Sequence, residues 1–120
     1  MSQGAERADC LFCRIADGDI PADRVAESED WLAFRDIDPQ APVHVLVIPR
    51  RHVESVAALE VGDAELAGRL LLAAAETARK LGVDEDGYRL VSNHGAKAGQ
   101  SVFHLHVHLL AGRRMEWPPG

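Results

Sequence analysis

The chain has 120 residues, 47% of them hydrophobic, and carries a formal net charge of -6. Such a length suits one domain with a small core, burying about 60–70% of the surface that the unfolded chain exposes. The acidic balance excludes a general nucleic-acid binder, which needs a basic surface to displace counterions, but leaves room for a small anion held by local N–H groups.

Residues 1–8 are small and polar and are expected to be a disordered lead-in to a single domain over 9–120. No basic stretch followed by an apolar one marks a secretory leader. The longest apolar run, Leu70 to Ala75, is far shorter than the roughly 20 residues that cross a bilayer, so a soluble, cytoplasmic protein is expected. Asp9 to Ala16 reads as a short helix, with Asp9 as its cap and Leu11, Phe12 and Ile15 facing inward. Gly18 and Pro21 end it. Arg24 to Ser28 and Asp30 to Ile37 read as strands, and Pro39 and Pro42 stiffen the loop before the strand Val43 to Ile48. Pro49 closes that strand, and Arg50-Arg51-His52 leads into a turn. From Asp63 to Leu81 the residues Leu66, Leu70, Ala73, Ala74 and Thr77 recur at helical spacing, with Gly82 placed to cap the C-terminus. Tyr88 to Asn93 is a strand, His94 to Gly99 a glycine-rich loop, and Val102 to Leu110 the last strand. The pattern predicts an α+β domain: an antiparallel sheet of about five strands, one long helix and a short N-terminal helix.

The last strand carries the strongest chemical signal. Side chains alternate across a strand, so His104, His106 and His108 share one face and Leu105, Val107 and Leu109 the other, which can pack on the long helix. An imidazole, with an unperturbed pKa of about 6.5, is available near neutrality as nucleophile, acid or metal ligand. Same-face neighbours stand roughly 7 Å apart and the outer two histidines roughly 13 Å apart, too far for one metal to hold all three. The preceding run Gly95-Ala96-Lys97-Ala98-Gly99-Gln100-Ser101 can turn N–H groups toward an anion, with the Ser101 hydroxyl and the Asn93 amide nearby.

Both cysteines of the chain lie in Cys10-Leu11-Phe12-Cys13. A structural disulfide is disfavoured in the cytoplasm, and the strand that precedes a thioredoxin-like redox pair is missing. Buried thiols and a tetrahedral zinc site needing two further ligands both remain open.

The run His104-Leu105-His106-Val107-His108-Leu109-Leu110 resembles the signature of the histidine triad superfamily. The wider likeness is to its Hint branch, the purine nucleoside phosphoramidases. It extends through Phe34-Arg35-Asp36-Ile37, Pro39-Gln40-Ala41-Pro42, His44 to Pro49, Gly99-Gln100-Ser101-Val102 and Trp117-Pro118-Pro119-Gly120. The resemblance implies that His106 attacks the α-phosphorus of a nucleoside phosphoramidate, expels the amine and forms a nucleotidyl-histidine that water hydrolyses. It implies that His44 and His108 hold the imidazole array and contact phosphate, that Asn93, Ser101 and the backbone of Gly99 and Val102 bind phosphate oxygens, and that Gln100 is among the nucleotide-binding residues. Asp36 would bind the ribose hydroxyls beside Ile37, while Phe12, Ile15, Ile20, Phe34 and Leu46 would enclose the base. It also implies a homodimer in which Trp117 shapes the partner's site, and a structural zinc held by Cys10, Cys13, His52 and His104, as in bacterial relatives. The chain departs from the branch in having the cysteine pair and in carrying Glu116 where several relatives have histidine. Competing readings are a dinucleoside polyphosphate hydrolase, a nucleotide-binding adaptor acting through protein partners and a zinc-stabilised structural module.

Overall fold

The computed structural model describes residues 9–120, so the expected lead-in over 1–8 lies outside the described residues. Helix α1 (Leu11–Ala16) is followed by β1 (Arg24–Glu27), β2 (Trp31–Arg35) and β3 (Val43–Pro49). Helix α2 (Ala64–Leu81) precedes β4 (Tyr88–Val91) and β5 (Val107–Ala111), with short 3-10 turns at Val56–Ala58, Val61–Asp63 and Ala96–Ala98. The five strands form one antiparallel sheet in the order β1-β2-β3-β5-β4, as the α+β reading expects. None of the helices among the described residues is long and apolar enough to cross a membrane.

The register sets two apolar faces. Val45 pairs with Leu109 and Val47 with Val107, and these residues join Trp31, Ala33, Leu105 and Ala111 in a core against Leu70, Ala73, Ala74 and Ala78 of α2. Thr77 is also fully buried there because its hydroxyl donates to the Ala73 carbonyl at 2.8 Å, satisfying its polar atom within the helix. On the opposite face, Leu32, Phe34, Leu46 and Ile48 meet Phe12, Cys13, Ile15 and Ala16 of α1. The short α1 covers only part of this face, and the remainder is where the histidines emerge.

Helix α1 starts two residues later than expected. Cys10, not Asp9, is its N-cap, its sulfur accepting the Cys13 N–H at 3.3 Å. At the other end Arg24 donates to the Ile15 carbonyl at 2.8 Å and Arg50 to the Ala16 carbonyl at 2.9 Å. These bonds satisfy carbonyls that a helix C-terminus leaves without an internal partner.

The last strand also differs from expectation, beginning at Val107 instead of Val102. Its pairing with β3 runs from Val43↔Ala111 to Val47↔Val107. Two residues further along this register Leu105 comes opposite Pro49, which has no N–H to give to a ladder. The Leu105 N–H donates to the Val53 carbonyl at 2.6 Å, the Pro49 carbonyl being taken by the His104 ring, and Ser92 Oγ donates to the His106 carbonyl at 2.9 Å. His104 and His106 therefore lie on an irregular lead-in held by side chains and loops.

Gly112 closes β5 at φ 94°, and a Cβ there would come within 2.8 Å of Pro42 Cβ. Gly82, the α2 cap at φ 73°, has open space around it. Gly82→Ala is expected to cost about 1 kcal/mol from backbone strain, and Gly112→Ala about 2–3 kcal/mol because a contact is added to that strain. Urea unfolding midpoints check this; equal losses would contradict the close packing of β5 on the Pro42 turn.

Candidate active site

His106 is buried, and its Nδ1 lies 2.7 Å from the His104 carbonyl oxygen. A carbonyl only accepts, so Nδ1 carries the hydrogen and Nε2 of the neutral ring keeps its lone pair. Phe12 packs edge-on against this ring at 5.1 Å between centroids, and the His108 ring lies 5.0 Å away on another side. The Nε2 nitrogen is thus fixed both in tautomer and in aim.

A second hydrogen-bonded row stands behind it. The Gln40 N–H donates to His44 Nδ1 at 3.0 Å, which leaves the hydrogen of neutral His44 on Nε2. His44 Nε2 is 2.9 Å from His108 Nδ1 and 3.4 Å from Asp36 Oδ2. With Nδ1 of His108 accepting, its Nε2 becomes the donor. Burial, reinforced by the neighbouring His106 and His44 rings, pushes the His108 pKa down to about 4. Burial likewise lowers that of His44, against the pull of Asp36 and Asp38. Asp36, His44 and His108 are close enough together to suggest a cation site. A metal on His44 Nε2 would require hydrogen on Nδ1, where the Gln40 N–H already points, so the trio reads as a proton row.

A cavity of about 670 Å³ opens over these rings. Of the residues expected at the site, Phe12, Ile15, Ile20, Phe34, Asp36, Ile37, Leu46, Ser101, Val102, His106 and His108 line it together. Phe12 and Phe34, 5.5 Å apart and edge to face, are core residues and cavity wall at once. Asp36 is held in place by the Asp38 N–H, which donates to its Oδ1 at 2.9 Å. His44 reaches the cavity through His108. Asn93, Gly99, Gln100 and Trp117 do not line it. The Gln100 amide is turned inward: its oxygen accepts the Gly95 N–H at 2.9 Å and its nitrogen donates to the Glu54 carbonyl at 2.8 Å. Trp117 is 80% exposed, with the Arg89 guanidinium 6.0 Å from its ring. Leu11, Pro21, Ala22, Asp23 and Arg35 complete the wall. Leu11 and Arg35 stand inside the quoted motifs without a role assigned to them, and Pro21, Ala22 and Asp23 arrive by the path of the α1–β1 connection, which no motif marks. Another groove runs beside α2, but its arginines are neutralised, Arg51 by Asp63 at 2.6 Å and Arg69 by Asp30 and Glu65 at 2.8 and 2.7 Å.

Cys10, Cys13, His52 and His104 form the second cluster, their ligand atoms all within 4.8 Å of one another, close enough to hold a metal ion. Cys10 Sγ is 3.3 Å from His104 Nδ1, and Cys13 Sγ is 3.3 Å from His52 Nδ1 and 3.5 Å from His104 Nδ1. Tetrahedral zinc with ordinary bond lengths sets sulfur and nitrogen ligands about 3.6 Å apart, so the donor set fits. His104 Nε2 donates to the Pro49 carbonyl at 2.8 Å, which directs the Nδ1 lone pair at the thiols. The two sulfurs are not joined to each other.

The pattern of the HIT domain matches residues 17–115, so the cysteine pair precedes the matched stretch and Trp117 follows it. An uncharacterized HIT-like protein of Synechocystis is 50% identical over 112 residues, covering 93% of this chain and 97% of that protein. The crystal structure of a HIT family hydrolase from Legionella pneumophila superposes with a TM-score of 0.91 at 50% identity, covering 93% of this chain and 100% of that one. A HIT family hydrolase from Clostridium thermocellum follows at 0.87 and 44%, with 90% and 94% covered. A buried histidine array on a matching sheet, a family pattern over most of the length and half-identical relatives lead to one conclusion: this chain belongs to the HIT domain family.

Proposed function

We propose that the protein hydrolyses nucleoside 5'-phosphoramidates, cleaving the P–N bond through a nucleotidyl-His106 intermediate. The observation that carries this reading is the His106 Nδ1–His104 carbonyl bond of 2.7 Å, which frees Nε2 beside a cavity of nucleotide size. The hydrolases of known structure that it resembles support the reaction class.

In the first step Nε2 bonds to the α-phosphorus and the P–N bond breaks, the amine nitrogen taking a proton from solvent as it leaves. In the second, water bonds to phosphorus, the P–Nε2 bond breaks, and a proton returns to solvent with the nucleoside monophosphate. Neutral His108, its Nδ1 supplied by His44, donates from Nε2 to a phosphate oxygen, together with the Ser101 hydroxyl. Donors aimed at charge that grows in the transition state are commonly the largest catalytic contribution. Asp36 accepts from the ribose, and Phe12, Ile15, Phe34 and Leu46 enclose the base. A metal at the Cys10–Cys13–His52–His104 cluster would supply a cross-link and no reacting group. Leu71, Leu72 and Trp117, at 59%, 67% and 80% exposure, support reading the working form as a homodimer.

His106→Ala is expected to lower turnover of an adenosine phosphoramidate by at least about 10³-fold, as deletion of a covalent nucleophile does, while adenosine monophosphate still binds. Steady-state kinetics and calorimetry check this, and near wild-type turnover by the variant would refute the mechanism. Protonation gives a second check. Unfolded His108 titrates near about 6.5, whereas in the fold its pKa lies at about 4. Between those values the unfolded chain binds more protons, so this group makes stability rise with pH across that window and has no effect above it. In an NMR titration the His108 ring is expected to stay neutral from about pH 8 down to about pH 5. A midpoint near 6.5 would contradict the buried proton row.

A further inference from the structure

His104 belongs to both clusters. Its Nδ1 faces the two thiols at 3.3 and 3.5 Å, its Nε2 donates to the Pro49 carbonyl at 2.8 Å, and its own carbonyl accepts the His106 ring at 2.7 Å. The residue is fully buried. With both ring nitrogens engaged, the ring is held at both edges and tethers the main chain that carries the carbonyl. We infer that the Cys10–Cys13–His52–His104 metal centre is a positioning device for the nucleophile and the base pocket, so that metal and nucleotide bind cooperatively.

Two routes connect the sites. The first is the main chain of His104, which joins the ligand cluster to the hydrogen that sets the His106 tautomer. The second is Phe12, which lies between the two cysteines on α1. Its ring packs edge-on against His104 at 6.0 Å and His106 at 5.1 Å and lines the nucleotide cavity with Ile15. Helix α1 is only six residues long. A helix of that length is unstable alone and takes its order from what it is fastened to. Arg24 and Arg50 fasten its C-terminal end. The N-terminal end is fastened through the cysteines, and a metal ion turns those contacts into bonds to His52 and His104 on the sheet side. Nucleotide that binds before the metal must order α1 and the residue 104–106 segment itself; nucleotide that binds afterwards finds both in place. Linkage makes the effect reciprocal: each ligand tightens the other by the same factor.

The inference rests on the nucleotide-binding reading above and concerns His104 as a positioning residue. Cobalt(II) is the probe, because thiolate-to-cobalt absorption and tetrahedral ligand-field bands report occupancy of this donor set without any turnover. The full chain, stripped of metal, is titrated with cobalt(II) with and without saturating adenosine monophosphate. The expected result is a cobalt affinity about tenfold tighter with the nucleotide, and the same factor for nucleotide affinity with cobalt. In His106→Ala, which keeps all four ligands and the Phe12 route but removes the His104 carbonyl route, the factor is expected to shrink without vanishing. Should stripping unfold the chain, zinc-loaded protein serves instead: zinc transfer to a colorimetric chelator is expected to slow about tenfold when the nucleotide is bound. Nucleotide that binds the loaded protein yet leaves cobalt affinity and zinc loss unchanged overturns the inference alone. Failure of the nucleotide to bind the loaded protein overturns the functional reading and the inference with it. Absence of a thiolate-to-cobalt band overturns the metal centre.

Discussion

The bond from the His106 ring to the His104 carbonyl joins residues two apart, and such a bond forms only where the main chain has left the sheet ladder. In a regular β5 that carbonyl would be committed to a neighbouring strand and the ring would point away from it. Pro49 stands where the β3–β5 ladder stops. The last pair is Val47↔Val107, and the Pro49 carbonyl takes the His104 ring. The Pro49 carbonyl thus sets the tautomer of His104, and the His104 carbonyl sets that of His106.

The rest of the structure holds that segment still. The β3–β5 pairing packs Leu105, Val107 and Leu109 against α2, which leaves the even-numbered side chains for the opposite face. There α1 covers Leu32, Phe34, Leu46 and Ile48 and stops short, so that Phe12 and Ile15 form a wall rather than a lid. Burial that would be a liability for polar groups is matched here by directed bonds. His44, His104 and His106 are each buried; both ring nitrogens of His44 and His104 and the Nδ1 of His106 are placed against named partners.

Local pattern made much of this legible. Period-two alternation placed Leu105, Val107 and Leu109 on the helix side, and helical spacing located Leu70, Ala73, Ala74 and Thr77 in the α2 core with Gly82 as its cap. What sequence did not show depends on contacts between distant residues. That β5 starts at Val107 goes with the bonds of His104 to Pro49 and of Leu105 to Val53. The hydrogen bond of His44 to His108 spans 64 positions and is set by the register of two strands. The capping of α1 by a sulfur, where a carboxylate one residue earlier looked better suited, reflects the pull of the Cys–His cluster on the chain. The inward turn of the Gln100 amide has a similar origin: its residue type suits a phosphate ligand equally well, and only the nearby Glu54 and Val102 carbonyls decide its direction.

The His104 carbonyl holds His106 with hydrogen on Nδ1 and a lone pair on Nε2. Nitrogen-15 NMR of the histidine rings at neutral pH measures this directly, since protonated and unprotonated ring nitrogens resonate far apart. His106 is expected as the Nδ1–H tautomer, with its Nε2 in the unprotonated range and shifting when adenosine monophosphate is added. A His106 ring carrying its hydrogen on Nε2, or exchanging freely between tautomers, would contradict this arrangement.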